Sequence, residues 1–374
     1  MAAVRLAALR EAKQAERRVA IVPEVAARLI RDGYEVLVEA GAGERAFFPD
    51  QAYADVGVKV TSRAEAIAQA DILAVVNQPD SQLIGALKSG QVIVGLLGTR
   101  TDPAIADALA APGATALDLA FLPRTLSRTQ TMDALSSQAS VAGYRAGIVA
   151  AGAFGRYMPM MITAAGTAKP AKVIVLGTGV AGLQAIGTTK RLGAVVTGYD
   201  VRPASRTEVE SLGATFLAPS GLEDGAGQGG YARELTPEEQ AAQRAELGEH
   251  IVAQDIVITT AQVPGRKPPV LVTADVVARM KPGSVIVDLG ASALGGNVEG
   301  SKPGETVLTD GGVTILDGSN LAAEMPTGAS SAYARNVMSL LAALVRDGQI
   351  VVDLEDEVLD AIVVAHGGSA RKGK

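Results

Sequence analysis

The chain has 374 residues and a formal net charge of −6, with 48% apolar residues and no cysteine. At roughly 100–200 residues per domain, this length predicts two domains. The acidic balance, with no basic stripe, argues against a nucleic-acid partner. The absence of cysteine excludes disulfides, thiolate catalysis and cysteine-ligated zinc, and we assign no metal site.

The apolar stretches are too short to cross a membrane, which needs roughly 20 apolar residues. The most apolar candidate lies between Arg145 and Arg156. The first residues lack a basic region followed by an apolar core, so we expect no signal peptide. If the protein works at a membrane, a separate chain must supply the membrane component.

The N-terminal third of the chain alternates between predicted strands and predicted helices. Pro23 opens a helical pattern that stops at Gly33, with Pro at the start and Gly just past the end, as is typical of helices. Apolar runs predict strands at residues 4–9, 35–39, 71–76, 91–96 and 114–117, with helices at 80–88 and 102–109. This repeat predicts a parallel sheet covered on both faces.

A polar segment, residues 123–137, precedes an Ala-rich stretch, residues 140–154, which predicts a helix crossing between two domains. A second strand–helix series predicts strands at residues 172–176, 195–199, 255–259 and 284–288, with shorter ones near Val307 and Val313. Residues 329–346 predict a helix that returns to the first domain. We therefore predict a first domain of residues 1–135 plus 320–374 and a second domain of residues 136–319.

The motif Gly177-Thr-Gly179-Val-Ala-Gly182 follows an apolar strand and opens a helical pattern. The first glycine permits the tight turn, the second lets the backbone approach a pyrophosphate, and the third allows close helix–strand packing. The phosphates would lie at the helix N-terminus, where unpaired N–H groups and the dipole favour anions. The motif predicts a dinucleotide site, and the alternative is a Gly-rich turn without a ligand.

Asp200 ends the next predicted strand, about 20 residues beyond the glycines, where dinucleotide-binding proteins hold the adenine ribose. Its carboxylate can accept hydrogen bonds from both ribose hydroxyls, and it would repel a 2′-phosphate. Val201 and Arg202 belong to the same candidate site, and an arginine there could accept a 2′-phosphate. We predict NAD(H) as the ligand. NADP(H), and a plain helix-capping role for Asp200, are the alternatives.

The segment 123–137 combines two cations, an amide, a carboxylate and hydroxyls, carried by Arg124, Arg128, Gln130, Asp133 and Ser136. A nicotinamide carboxamide needs both donors and acceptors to fix which ring face is presented, and these side chains offer both. The alternative is a linker in which Asp133 or Ser136 simply caps the following helix.

The stretches RTLSRTQTMDALSSQASVAGYRA and PMMITAAGTAKPAKVIVLGTGVAGLQAIGTTKRLGAVV are similar to the NAD(H)-binding domain I of proton-translocating transhydrogenases. ERRVAIVPE, VESLGA, GGYARE, ITTAQVPGRKPPVL and MKPGSVIVDL extend this resemblance over nearly the whole chain. The resemblance implies an α/β protein of two Rossmann-like domains, with parallel sheets, helices on both faces and the nucleotide in the interdomain cleft.

The resemblance also implies partners and a reaction. The chain would form a homodimer and dock onto an NADP(H)-binding subunit, with NAD on this chain and NADP on that partner. Hydride would pass directly between the two nicotinamides. Membrane-spanning proton-channel subunits would couple the transfer to proton movement, holding the chain at the cytoplasmic face of a bacterial inner membrane.

The resemblance assigns nicotinamide positioning to Arg124, Gln130, Asp133 and Ser136, with Arg128 in the same loop. It assigns further nucleotide contacts to Val180, Gln243 and Gln262, and a loop that closes over the nucleotide to Gly230 and Tyr231. Thr125 and Leu126 make the polar loop that carries Arg124 one residue longer than is usual in the family. The choice between Arg124 and Arg128 therefore stays open.

Alanine dehydrogenase, which has the same architecture, is the main alternative. It needs a Lys and a His in its first domain for the substrate and for proton transfer, whereas this chain has Asn77-Gln78-Pro79 at the Lys position and no His before His250. Hydride transfer between nicotinamides needs no such base, because no proton moves at the reacting carbon. A catalytically silent NAD-binding regulatory subunit is the second alternative, and the polar loop favours the enzyme over it.

Overall fold

The computed structural model describes residues 3–218, 236–262 and 267–371. The chain divides into two units. The first contains the residues up to Gln138 and those from Ala323 onwards, and the second is Ala139–Ala322. In the described ranges, no helix is both long enough and apolar enough to cross a membrane.

Strands and helices are numbered here in chain order. The strands are β1 (Arg5–Ala8), β2 (Glu35–Glu39), β3 (Lys59–Thr61), β4 (Ile72–Ala74), β5 (Val92–Gly95), β6 (Thr115–Asp118), β7 (Met161–Thr163), β8 (Gly166–Ala168), β9 (Lys172–Leu176), β10 (Val195–Tyr199), β11 (Thr215–Leu217), β12 (Ile256–Thr259), β13 (Val285–Asp288), β14 (Thr306–Leu308), β15 (Thr314–Asp317), β16 (Val345–Arg346), β17 (Gln349–Ile350), β18 (Val363–His366) and β19 (Ser369–Ala370). The helices are α1 (Pro23–Arg31), α2 (Asp50–Ala54), α3 (Arg63–Gln69), α4 (Ser81–Ala86), α5 (Ala104–Ala110), α6 (Ala134–Ala153), α7 (Val180–Arg191), α8 (Ser205–Ser211), α9 (Pro237–Val252), α10 (Ala274–Arg279), α11 (Pro326–Leu344) and α12 (Glu357–Ile362).

The sheet of the first unit has the order β19-β18-β6-β5-β4-β1-β2-β3 among the described residues. Strands β1 to β6 are parallel, as predicted. The chain reverses its direction across the sheet between β1 and β4, and such a point leaves a crevice at the carboxyl ends of the two strands. The predicted parallel sheet carries an antiparallel edge, which is formed by β18 and β19. Gly367 and Gly368 both have positive φ, which permits the tight hairpin there.

The sheet of the second unit has the order β11-β10-β9-β12-β13-β15-β14 in the described residues. Its strands are parallel except for β14, which pairs antiparallel with β15 at the edge. The reversal of strand order falls between β9 and β12. Both units therefore share the doubly wound arrangement that the sequence predicts, each with its own crevice at the carboxyl ends of two central strands.

Small residues allow close packing of helices on these sheets. In β9, residues Val173 to Leu176 are fully buried, as expected for a strand covered on both faces. Helix α6 packs on α7 at Gly143, where an added Cβ would collide with the backbone of Ala181. At Gly147 an added Cβ would stand 2.9 Å from the Thr188 methyl group. The low aromatic content of the chain fits this close packing.

Helix α6 and the segment just after it differ from the sequence prediction. Helix α6 begins at Ala134 rather than at residue 140, because the Asp133 carboxylate accepts the Ser136 N–H at 2.8 Å and caps the helix. Strands β7 and β8 form an exposed hairpin in a stretch predicted only as a connection. Its side chains are largely in solvent, so no buried period-two pattern marks it in the sequence.

Candidate functional site

The glycine turn follows β9, at the crevice of the second unit. Gly177 has φ +91°, a conformation that favours glycine, and its N–H donates to the Tyr199 carbonyl at 2.8 Å. An added Cβ at Gly182 would collide with the Gly177 carbonyl oxygen. The first and third glycines of the motif are therefore required by the turn and by the contact between helix and strand.

The N-terminus of α7 is open. Gly179 is the N-cap of this helix, and no described atom lies within 4 Å of the position that a Cβ would occupy there. Val180, the first helical residue, is unusually exposed for an apolar side chain. The helix has 12 residues, so its first-turn N–H groups and its dipole form a site suited to an anion.

Asp200 lies directly after β10, and its buried carboxylate faces the glycine turn. It accepts the Thr178 N–H at 2.8 Å, and it receives Arg202 Nε at 3.0 Å and Nη2 at 2.9 Å. Burial alone would raise the pKa of Asp200, but the Arg202 guanidinium and the backbone donors outweigh burial and lower it. The carboxylate is thus ionised and already saturated with donors, so a ribose hydroxyl must exchange with Arg202 to reach it.

The neighbouring strand end completes the turn. The Thr260 hydroxyl, after β12, donates to the Gly177 carbonyl at 2.8 Å, and Gln262 donates to the Leu289 carbonyl. Val201 is half-buried against the apolar cluster on one face of the sheet. Gly230 and Tyr231 lie outside the described residues, as does the side chain of Gln243.

The polar loop of the first unit has a fixed backbone. Residues Ser127–Met132 form a 3-10 helix, and the buried Thr129 hydroxyl lies 2.5 Å from the Pro123 carbonyl and 2.8 Å from the Leu126 carbonyl. Asp133 follows as the cap of α6. The capping role considered for Asp133 in the sequence is therefore real, and it uses only one of the two carboxylate oxygens.

The other carboxylate oxygen of Asp133 organises a three-residue cluster. Arg124 Nε donates to Asp133 Oδ2 at 3.0 Å, and the Ser136 hydroxyl donates to the same oxygen at 2.6 Å. Arg124 Nη2 in turn donates to the Ser136 hydroxyl at 2.7 Å. The Asp133 carboxylate is mostly buried and the Arg124 guanidinium is partly exposed. The cluster is therefore a partly exposed cation that is held in place by a mostly buried anion.

The remaining two loop candidates stand apart from this cluster. Arg128 donates to the Asp356 carboxylate at 2.7 and 3.1 Å and also contacts Glu357 at 3.4 Å, at the N-terminus of α12. Gln130 is exposed, and its side chain makes no hydrogen bond to any described residue. The structure thus brings together Arg124, Asp133 and Ser136, and leaves Gln130 accessible and Arg128 paired elsewhere.

A buried ionic cluster at the crevice of the first unit was not predicted. Arg18 donates to Glu16 through Nε at 2.7 Å and Nη2 at 2.6 Å, and Asn77 Nδ2 donates to the same carboxylate at 2.6 Å. Glu11 accepts the Val76 N–H at 2.6 Å and the Asn77 N–H at 3.3 Å. Glu16 and Arg18 belong to the ERRVAIVPE motif, in which three charged residues directly precede a buried apolar run, and these two are the buried ones.

The pKa values of the two carboxylates in this cluster shift in opposite directions. Burial, aided by the Glu16 charge, raises the pKa of Glu11 to about 7. Burial would also raise the pKa of Glu16, but the bonds from Arg18 outweigh it and lower that pKa. Arg18 therefore neutralises Glu16, whereas Glu11 accepts hydrogen bonds from two backbone N–H groups of the described residues.

Comparison with known proteins agrees with this architecture. Models described as alanine dehydrogenase/PNT, N-terminal and C-terminal domains, match residues 7–142 and 146–373. The NAD(P) transhydrogenase subunit alpha of Cereibacter sphaeroides is 42% identical over 98% of this chain and 71% of that protein. The alanine dehydrogenase of Mycobacterium tuberculosis is 34% identical over 78% of this chain and 74% of that enzyme.

A solved structure of transhydrogenase from Sinorhizobium meliloti gives the same result. It matches with a TM-score of 0.85 and 40% identity, covering 98% of both chains. The resemblance inferred from the sequence motifs is thereby confirmed. The chain belongs to the alanine dehydrogenase/PNT family, among its NAD(P) transhydrogenase alpha subunits.

Proposed function

We propose that this chain is the NAD(H)-binding subunit of a proton-translocating transhydrogenase of the Si-specific/Re-specific type. It holds NAD(H) while a partner subunit holds NADP(H), and hydride passes directly between them. A separate membrane component couples the transfer to proton movement. The observation that carries this proposal is the Arg124–Asp133–Ser136 cluster, a set of fixed polar groups whose carboxylate is occupied by Arg124 and Ser136, in a chain that also carries a dinucleotide turn.

The residues of the second unit fit a dinucleotide. The open N-terminus of α7 beside Gly179 suits a pyrophosphate, and the ionised Asp200 carboxylate suits ribose hydroxyls once Arg202 exchanges with them. We propose residues 136–319 as the NAD(H)-binding domain and residues 1–135 plus 320–374 as the first domain. Val180, Val201, Gln243, Gln262, Gly230 and Tyr231 remain proposed contacts.

The polar loop suits an orienting role. Bound NADH supplies the hydride, and the chain's task is to hold the nicotinamide in one orientation. The exposed amide of Gln130 offers both a donor and an acceptor to a carboxamide. Arg124 and Ser136, which bond to each other and to Asp133, can add to these by exchanging bonds within the cluster. The sequence has no His before His250, as expected when no proton moves at the reacting carbon.

The proposed partners follow from the same assignment. The chain works as a homodimer beside an NADP(H)-binding subunit and proton-channel subunits, at the cytoplasmic face of the inner membrane. The β7–β8 hairpin and the residues just before it support self-association, because Tyr157, Met160 and Ile162 are all more than half exposed, with Ile162 at 77%. Such an apolar patch is typical of surfaces that a second chain covers.

Reconstitution tests the proposal directly. We expect the purified chain, mixed with an NADP(H)-binding partner subunit, to catalyse hydride transfer from NADH to an NADP analogue. The chain alone is expected to show no pyruvate- and ammonium-dependent oxidation of NADH, because Asn77 donates to Glu16 and offers no amine. Robust alanine dehydrogenase activity would identify the chain as an alanine dehydrogenase instead. NADH binding without any hydride transfer would favour a catalytically silent regulatory subunit. Light scattering on the same preparation measures the mass, and a monomer would contradict the homodimer.

Nucleotide selectivity provides a further prediction. We expect the isolated chain to bind NADH at least about tenfold more tightly than NADPH, because a 2′-phosphate would meet the ionised Asp200 carboxylate. Asp200→Ala should narrow this preference, since it also frees Arg202 to accept the phosphate. Calorimetry with both nucleotides measures the ratio, and NADPH binding as tight as NADH binding would refute the ribose assignment.

A further inference from the structure

A single buried amide links two points of the polar loop. Asn336, on α11, is 7% exposed. Its Nδ2 donates to the Thr131 carbonyl at 2.8 Å, and its Oδ1 accepts the Ser137 hydroxyl at 2.7 Å. Thr131 precedes Asp133 by two residues and Ser137 follows Ser136 directly, so this amide holds one point of the chain on each side of Asp133 and Ser136.

The chain of hydrogen bonds continues away from the loop to the buried ion pair. Ser137 accepts Gln138 Nε2 at 3.2 Å, and the same nitrogen donates to the Ala329 carbonyl at 3.1 Å. Gln138 Oε1 accepts Arg18 Nη1 at 2.8 Å. Arg18, Gln138, Ser137, Asn336 and Thr131 therefore form one continuous series within the first unit.

The chemistry of the side chains fixes which atom donates and which accepts in each hydrogen bond of this series. A guanidinium can only donate, so the oxygen of Gln138 must face Arg18 and its NH₂ must face Ser137. The Ser137 proton then goes to Asn336 Oδ1 at 2.7 Å rather than to the Ala134 carbonyl at 3.2 Å. The Asn336 NH₂ is left to donate to Thr131. Buried hydrogen bonds aligned in one direction strengthen one another, and each misplaced donor leaves an unsatisfied group.

We propose that Asn336 is a positioning residue for hydride transfer, which holds the polar loop in register through the series that Arg18 orients. This inference rests on the proposed function. Asn336 touches neither nucleotide in this role. It acts by holding the Thr131 carbonyl and the Ser137 hydroxyl, and through them the backbone that carries Gln130, Asp133 and Ser136.

Asn336→Asp tests the proposal with the smallest change of shape, because it replaces the donor that faces the Thr131 carbonyl with an acceptor. In the reconstituted system we expect the rate at saturating nucleotide to fall roughly tenfold or more, since small misplacements of reacting groups have large effects on rate. The dissociation constant for NADH should stay within about twofold, because the phosphate and ribose contacts lie in the other unit. An unchanged rate overturns the proposal.

Two further variants keep the test decisive if Asn336→Asp does not fold. Ser137→Ala removes the hydroxyl that Asn336 accepts and should lower the same rate, whereas Ser137→Thr keeps the hydroxyl and should restore the rate.

Ser330→Ala is the matched control, because it removes a buried bond between the same helix and the Val19 N–H, which is not part of the series. If Ser330→Ala slows the transfer as much as Ser137→Ala does, any disturbance of α11 is enough to slow it. That result would overturn the proposal. If the wild-type chain transfers no hydride, the proposed function fails rather than the role of Asn336.

Discussion

Replacing Asp133 with Asn is expected to slow hydride transfer by about a hundredfold while leaving the NADH dissociation constant within about twofold of the wild-type value. The cause is a specific conflict of donors. The Oδ1 of Asp133 must stay an oxygen to cap α6, so the new NH₂ takes the position of Oδ2. There it faces Arg124 Nε and the Ser136 hydroxyl, both of which donate to that oxygen in the wild type.

Asn is as good an N-cap as Asp, so this variant keeps the helix while it breaks the cluster. Arg124 then loses its counter-ion and its fixed direction. A hundredfold loss corresponds to about 2.7 kcal/mol of barrier. Stopped-flow measurement of transfer to a partner-bound NADP analogue gives the rate, and calorimetry gives the affinity.

Arg128→Ala is the matched control for this experiment. Arg128 is paired with Asp356 and Glu357, so its loss should change the rate of transfer by no more than about twofold. Arg124→Ala should reproduce the defect of the Asp133 variant. If Asp133→Asn transfers hydride at the normal rate, Asp133 serves only as a helix cap. If Arg128→Ala transfers hydride more slowly than Arg124→Ala, Arg128 rather than Arg124 is the functional arginine.

The central parallel strands of the fold were predictable from the sequence. The runs at Lys172–Leu176 and Val195–Tyr199 are strands with the predicted bounds, because both are apolar segments bounded by turn signals. The antiparallel edges and the β7–β8 hairpin were not predictable in this way. The edge strand β19 and the hairpin strands β7 and β8 bury little, so their sequences carry no clear period. The turns at Gly367–Gly368 and Ala164–Ala165 do not by themselves indicate which strands they connect.

The candidate site was predictable in its residues but not in its pairing. Motif spacing identifies the glycine turn and the loop acids and cations, yet it cannot tell that Arg124 rather than Arg128 meets Asp133, since both are within reach along the chain. That choice depends on α12, whose cap Asp356 lies more than 200 residues away and pairs with Arg128. The buried Glu16–Arg18 pair was missed for a related reason. Charged residues in a polar run predict a solvated surface unless the fold supplies partners.

Replacing Glu11 with Gln is expected to stabilise the protein by about 3 kcal/mol at about pH 8 and by about 1 kcal/mol or less at about pH 5. Burial, aided by the Glu16 charge, raises the pKa of Glu11 in the folded protein to about 7 from an ordinary value of 4.5. The folded state therefore binds this proton more tightly than the unfolded state. Its stabilising contribution is complete below pH 4.5 and is lost as the pH rises through about 7.

Glutamine imitates the protonated carboxyl at every pH when its oxygen takes the place of Oε1, which accepts the Val76 N–H at 2.6 Å. Its NH₂ then takes the place of Oε2, so the variant gives up only the longer bond from the Asn77 N–H at 3.3 Å. The variant should therefore stay close to the wild type in acid and exceed its stability in base. Urea unfolding at the two pH values measures both differences. An equal difference at both pH values would show that Glu11 does not titrate between them.

Glu16→Gln provides the opposite control within the same cluster. The pKa of Glu16 is lowered, since the bonds from Arg18 outweigh burial, so its stabilising contribution is present above the ordinary pKa of a carboxyl and is lost only in acid. This variant should destabilise the protein at about pH 8, because it leaves the buried Arg18 without its anion. The two neutralising changes, made at two carboxylates that both contact Asn77, should thus shift the free energy of unfolding in opposite directions. If both variants shifted the free energy of unfolding in the same direction at about pH 8, Arg18 would have to neutralise the two carboxylates equally. That result would contradict its two short bonds to Glu16.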